Sequence, residues 1–154
     1  MHYHFIGICG TAMGSVAAML KEQGYMVTGS DQQMYPPMSE VLHKAGITVL
    51  TPFSPANLDP KPDIVIIGNA VSRGNPEVET ILERKIRYLS LPELLKDNFI
   101  RGKTSCVVTG THGKSTTTAL LAWVLEYCGK KPGYMVGGVT LNLENSCKAG
   151  EGKV

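Results

Sequence analysis

Three things that would each have narrowed the function are missing from this chain. No block of lysine or arginine marks a track for nucleic acid: fifteen basic residues stand against thirteen acidic ones, a formal net charge of +2, without clustering. No CxxC pair occurs, and Cys9, Cys106, Cys128 and Cys147 lie far apart with no histidine at zinc-ligand spacing. Neither a disulfide framework nor a structural metal is indicated, and reduced thiols in a cytosol are expected. No apolar run approaches the ~18 residues of a membrane span, and the opening His2-Tyr3-His4-Phe5-Ile6-Gly7 has neither a charged leader nor a long apolar segment. The expectations are a cytoplasmic protein with no nucleic-acid partner and no membrane.

What is there reads as globular. The 154 residues are 43% hydrophobic and 18% charged, enough to bury a core in one domain, or in a domain of ~100 residues followed by part of another. Strands and helices alternate from the start. Tyr3 to Ile8 is a short apolar strand stopped by Gly7 and Gly10, and Met13, Val16, Ala17, Met19 and Leu20 then recur at helical spacing from Thr11 to about Gln23. A strand follows over 25–29, a helix capped by Ser39 runs to Ala45, and a strand covers 47–50. Asp63 to Ile67 is the most apolar strand candidate and should be central; Pro76 opens a helix to about Arg84, a short strand covers 87–90, and 91–99 is helical.

The basic stretch Arg101-Gly102-Lys103 is taken as a boundary, giving units 1–100 and 101–154. In the second unit a strand over 105–109, a glycine-bearing loop, a helix from Thr116 to Cys128 and a strand at 134–136 are expected, with a polar tail from Asn142 that has no recognisable closing element. The fold class is α/β: a Rossmann-like parallel sheet followed by the start of a P-loop ATP-binding domain, with parallel sheets in both units.

Gly110-Thr111-His112-Gly113-Lys114-Ser115 is shorter than GxxxxGK[ST], so placement between a strand and a helix carries the match. Backbone N–H groups of such a turn face phosphate oxygens and the following helix adds its positive end. Lys114 would hold the β and γ phosphates of ATP, and the hydroxyl of Ser115 or Thr116 would ligate Mg²⁺. The bland alternative is a tight turn with solvated Lys and Ser.

Gly7-Ile8-Cys9-Gly10-Thr11-Ala12-Met13-Gly14 sits on the first strand-to-helix turn, and Asp31 ends the second strand about twenty residues on. The spacing is GxxGxxxG, which supports a nicotinamide dinucleotide poorly and another nucleotide diphosphate as well; the glycines could also serve packing alone. In the loop after the central strand, Asn69 and Arg73 could meet a ligand's phosphates or sugar, while Asn75 could equally cap the helix at Pro76. His112 lies within the phosphate loop; His2, His4 and His43 have no partner pattern.

Taken in order, His4-Phe5-Ile6-Gly7-Ile8-Cys9-Gly10-Thr11-Ala12-Met13, Thr28-Gly29-Ser30-Asp31 and Thr109-Gly110-Thr111-His112-Gly113-Lys114-Ser115-Thr116-Thr117 resemble the Mur ligase family of bacterial cell-wall synthesis, over essentially the whole chain. Tyr35-Pro36-Pro37-Met38-Ser39 and the stretch Gly68 to Pro76 look most like its branch that recycles a murein tripeptide, with the L-alanine-adding branch as the alternative. The resemblance implies an ATP-dependent amide ligase using Mg²⁺, with UDP-N-acetylmuramate and a peptide or amino-acid amine as substrates. It implies UDP contacts at Gly10, Thr11, Ala12, Met13, Ser30, Asp31, Asn69 and Ala70, with Arg73 beside them. It further implies an ATP loop of Gly110, Thr111, His112, Gly113, Lys114, Ser115 and Thr116, in which Lys114 is catalytic and Ser115 is the metal ligand. Members have three domains, so these 154 residues alone are expected to be inactive. The competing class is a non-catalytic nucleotide-sugar-binding module.

Overall fold

The computed structural model describes residues 1–137, 143 and 145–154; positions 142 and 144 of the polar tail lie outside the described residues. The chain forms two compact units, Met1–Leu94 and Leu95–Val154.

The first unit is a five-stranded, all-parallel sheet. Its strands are β1 (His2–Ile6), β2 (Met26–Ser30), β3 (Thr48–Leu50), β4 (Ile64–Ile67) and β5 (Tyr88–Ser90), in the spatial order β3-β2-β1-β4-β5. The helices are α1 (Thr11–Glu22), α2 (Met38–Lys44), α3 (Pro76–Glu83) and α4 (Leu91–Leu95), the last continuing as a π-helical turn at Lys96–Ile100. β1 is central, in register with Met26–Ser30 on one side and with Ile64–Ile67 on the other. A strand with neighbours on both edges and helices over both faces buries side chains on both sides, and all of Tyr3, His4, Phe5 and Ile6 are buried, with His2 at the strand's start half-buried.

One face of the sheet meets α3, where Ile6 and Val65 cluster with Val78 and Ile81. Burying each such side chain contributes about 1.5–3 kcal/mol. On the α1 side, a Cβ at Gly14 would lie 3.0 Å from the Ile8 carbonyl oxygen and against the Met38 side chain, so this glycine lets α1 approach α2 closely. α2 begins two residues earlier than expected, with Pro37 and not Ser39 at its N-cap and Ser39 inside the first turn. The proline-rich run after β3 folds one 3₁₀ turn at Pro55–Leu58, which buries Leu58.

In the second unit the structure departs from expectation. Residues 104–109 form no strand, and Val107 is 79% exposed. A strand exists only by pairing, and among the described residues this segment has one backbone hydrogen bond, Thr104 N–H to the Lys153 carbonyl (2.7 Å). α5 spans Lys114–Tyr127, starting at the lysine and not at Thr116. β6 (Tyr134–Met135) pairs antiparallel with β7 (Cys147–Lys148). That pairing corrects both the expected parallel sheet and the expected absence of any closing element: two residues of strand in a polar tail leave no period to detect.

Candidate functional site

In an open parallel sheet, ligands bind beyond the carboxyl ends of the strands, where the strand order reverses. Here the chain runs outward from β1 to β2 and β3, then returns to β4 on the other side of β1. The crevice between the β1 and β4 loops is therefore the place to look, and the turn after β1 and the loop 68–75 both open there.

The turn after β1 is held by the end of β2. The Ser30 carbonyl accepts from Gly7 N–H (2.8 Å) and Ile8 N–H (3.1 Å). The Asp31 carboxylate accepts from Cys9 N–H (2.8 Å) and from Gln32 N–H (2.7 Å). Gly10 is the N-cap of α1 and offers no side chain to the first-turn amides of Thr11, Ala12 and Met13, so the positive end of a twelve-residue helix stays open toward the crevice. Gly10 and Thr11 are exposed and Ala12 is half-buried, whereas the Met13 side chain belongs to the core, leaving only its backbone for a ligand. Burial pushes the Cys9 thiol up to about 11, with Asp31 adding to the effect. It stays a protonated thiol near neutrality and not a nucleophile.

Asn69 and Ala70 are exposed on the loop after β4. Arg73 is exposed too, but its guanidinium donates to both carboxylate oxygens of Glu79 (2.8 and 3.0 Å), and the Gly74 N–H adds a third bond to that carboxylate (2.8 Å). Arg73 thus braces its own loop. Asn75 caps α3: its Oδ1 accepts from Glu77 N–H (2.9 Å) and Val78 N–H (3.3 Å).

Ser30 is fully buried and its hydroxyl donates to Glu77 Oε2. The Glu77 carboxylate, itself 0% exposed, also accepts from Ser54 N–H (3.1 Å) and Asn57 Nδ2 (2.6 Å). His4 Nε2 stands 3.7 Å from Oε2, beyond hydrogen-bond distance, and has no hydrogen-bond partner among the described residues. Its other nitrogen, Nδ1, pairs with Thr28 Oγ1 (2.9 Å), which also meets His2 Nε2 (2.8 Å). Burial pushes the Glu77 carboxyl up, but His4, Ser30, Asn57 and the Ser54 amide outweigh it and hold it below its ordinary value. Sequence reasoning missed this cluster, because a glutamate in the first turn of a helix reads as a solvated residue. The available signal was His4 on a central strand, where it had to be buried and therefore partnered.

In the second unit, Gly110, Thr111, His112, Gly113, Lys114, Ser115 and Thr116 are all exposed and contiguous. Gly113 has φ 75° at the N-cap of α5, a left-handed conformation that a side chain would strain. Lys114 Nζ folds back to donate to the carbonyls of Gly110 (2.6 Å) and Thr111 (3.2 Å). Ser115 Oγ makes one long bond to the Gly137 carbonyl (3.4 Å), and His112 Nδ1 lies 3.2 Å from Thr111 Oγ1. Among the described residues no group of three or more His, Cys, Asp or Glu side chains could hold a metal ion, and no helix is long and apolar enough to cross a membrane.

Comparison with known proteins adds to this geometry. Residues 2–102 match the Mur ligase family, catalytic domain. The chain is 49% identical over 151 residues to the UDP-N-acetylmuramate–L-alanyl-γ-D-glutamyl-meso-2,6-diaminoheptandioate ligase of Escherichia coli, covering 98% of this chain and 33% of that protein. The crystal structure of the corresponding ligase from Neisseria meningitidis superposes with a TM-score of 0.89 at 47% identity, over 96% of this chain and 46% of that one. That of the UDP-N-acetylmuramate–alanine ligase of Thermotoga maritima superposes with a TM-score of 0.89 at 35% identity, over 100% of this chain and 36% of that one. The chain spans about a third of the length of the curated relatives it matches.

Proposed function

The chain belongs to the Mur ligase family, and on that premise we propose that it is the uridine-nucleotide-binding and ATP-loop portion of an ATP-dependent carbon–nitrogen ligase. The substrates are UDP-N-acetylmuramate and the tripeptide L-Ala-γ-D-Glu-meso-diaminopimelate. The muramyl carboxylate takes the γ-phosphoryl group of ATP, releasing ADP; the peptide amine then attacks the acyl phosphate, phosphate leaves and the amide forms. This places the protein in peptidoglycan recycling and in the cytoplasm, where the nucleotide substrates are.

One observation carries the choice of amine. The tripeptide ligase and the alanine ligase superpose equally well, both at a TM-score of 0.89, so the shared fold is neutral; the identities, 47% against 35%, favour the tripeptide.

UDP binds at the crevice of the first unit. Its pyrophosphate lies at the open N-terminus of α1, over Gly10, Thr11, Ala12 and Met13, and Asp31, Asn69 and Ala70 line the nucleoside side. Lys114 leaves the Gly110 and Thr111 carbonyls to meet the ATP phosphates, a stronger, charge-assisted pairing. Mg²⁺ suits the donors present only in part: Ser115 offers one hydroxyl oxygen, and the ion ordinarily completes its shell with phosphate oxygens and water. Bound there, it would neutralise charge on the transferring phosphoryl group.

Calorimetric titration tests the assignment. Lys114→Ala should weaken ATP binding by at least tenfold and leave UDP binding unchanged; equal loss of both ligands would contradict two separate sites. Because the relatives are about three times as long, we further propose that these residues alone do not turn over, and amide formation by the 154-residue chain would refute that part.

A further inference from the structure

We propose that Glu77 is a positioning residue for the uridine nucleotide, holding the turn at residues 7–10 in its binding shape through Ser30; the inference rests on the uridine reading above. Two segments at the carboxyl edge of the sheet converge on this one buried carboxylate, and a third holds the backbone of the same residue. Ser30, at the end of β2, donates its hydroxyl to Oε2. Ser54 N–H and Asn57 Nδ2, from the segment after β3, donate to Oε1 at 3.1 and 2.6 Å. Asn75, at the end of the loop after β4, accepts the Glu77 backbone N–H at 2.9 Å and so fixes the start of α3 that carries the carboxylate.

The link to the ligand runs through the backbone. With its hydroxyl fixed on Glu77, Ser30 points its carbonyl at Gly7 N–H and Ile8 N–H, and the next residue, Asp31, points its carboxylate at Cys9 N–H. Three successive amides of the turn are thereby spoken for, which sets where Gly10 and the first turn of α1 stand. Ser30, buried behind the turn, acts by support and not by contact with the nucleotide.

The carboxylate is chosen over an amide by the polarity of its neighbours. Ser30 O–H, Ser54 N–H and Asn57 N–H all donate, and a carboxylate has acceptor sites for all of them. In Glu77→Gln one terminal atom becomes an NH₂ facing a donor, so the shape is kept and the bonding broken. An apolar staple could join α3 to the sheet at no desolvation cost; a buried carboxylate is explained by the loops it aligns.

The test is UDP titration of the whole chain and of Glu77→Gln and Ser30→Ala, with thermal melts and amide NMR shifts of Gly7, Ile8, Cys9 and Gly10 in the absence of ligand. Both variants should bind UDP about tenfold more weakly, with those four amides shifted and a cooperative melt retained. Should Glu77→Gln fail to fold, Ser30→Ala decides, since it leaves α3 and the carboxylate in place. Wild-type UDP affinity with unshifted turn amides in a folded variant overturns the proposal. Failure of the unaltered chain to bind UDP would instead overturn the uridine reading, and this inference with it.

Discussion

The two units are written in the same strand-and-helix grammar and differ in what their helices rest on. In the first unit α1 and α3 cover a five-stranded sheet, and Phe5, Ile6, Leu20, Leu42, Leu58, Ile66 and Ile81 are fully buried. In the second, α5 is as apolar as α1, yet it leaves Leu120 60%, Trp123 44% and Tyr127 84% exposed, and its cluster of buried residues is Ala122, Val136 and Leu143. A helix does not make a core by itself; its apolar stripe becomes stability only where another packed element covers it. The same contrast holds for polar groups. The first unit encloses Glu77 and satisfies it with three hydrogen bonds, whereas the phosphate-loop residues of the second are exposed to solvent.

The contrast can be broken by mutation. Phe5→Ala, which opens a cavity at the centre of the sheet, should cost about 3–5 kcal/mol in urea denaturation, while Trp123→Ala should stay within roughly 0.5 kcal/mol. Comparable losses at the two positions would mean that α5 packs as tightly as the sheet. A smaller effect sharpens the polar half of the comparison. Glu77→Gln should cost about 1–3 kcal/mol at neutral pH by leaving a buried donor unpaired. Because the native carboxyl is held below its ordinary value of 4.5, its stabilisation is complete above that value and is lost as the pH falls through the lower native one. Denaturation curves of wild type and Glu77→Gln should therefore converge below pH 4.5, and a gap independent of pH would show that the charge is not what matters. Asn75→Ala should lose about 1 kcal/mol with the cap of α3, less than Phe5→Ala and more than Trp123→Ala, measurable in the same denaturation.

Local signals made most of the first unit legible. Gly24 and Gly46 follow the ends of α1 and α2 and Pro76 opens α3; the run from Ile64 to Ile67 is a strand as expected, but β1 and not this run is the central one. The glycine turn after β1 and Asp31 just past β2 stand where strand-to-helix turns are expected, because such turns are set by residues close in sequence. What could not be read depends on distant partners. Ser30 meets Glu77 across 47 positions and His4 meets Thr28 across 24, and neither separation leaves a period. The segment 105–109 has strand composition, but pairing decides a strand.

Hydrogen–deuterium exchange of the whole chain, alone and with UDP or ATP, tests most directly whether the two nucleotides occupy separate units. UDP should slow exchange at residues 7–13, 30–31 and 69–70 and leave 110–116 unchanged, and ATP should do the reverse. Protection of 110–116 by UDP, or of the turn after β1 by ATP alone, would contradict the account.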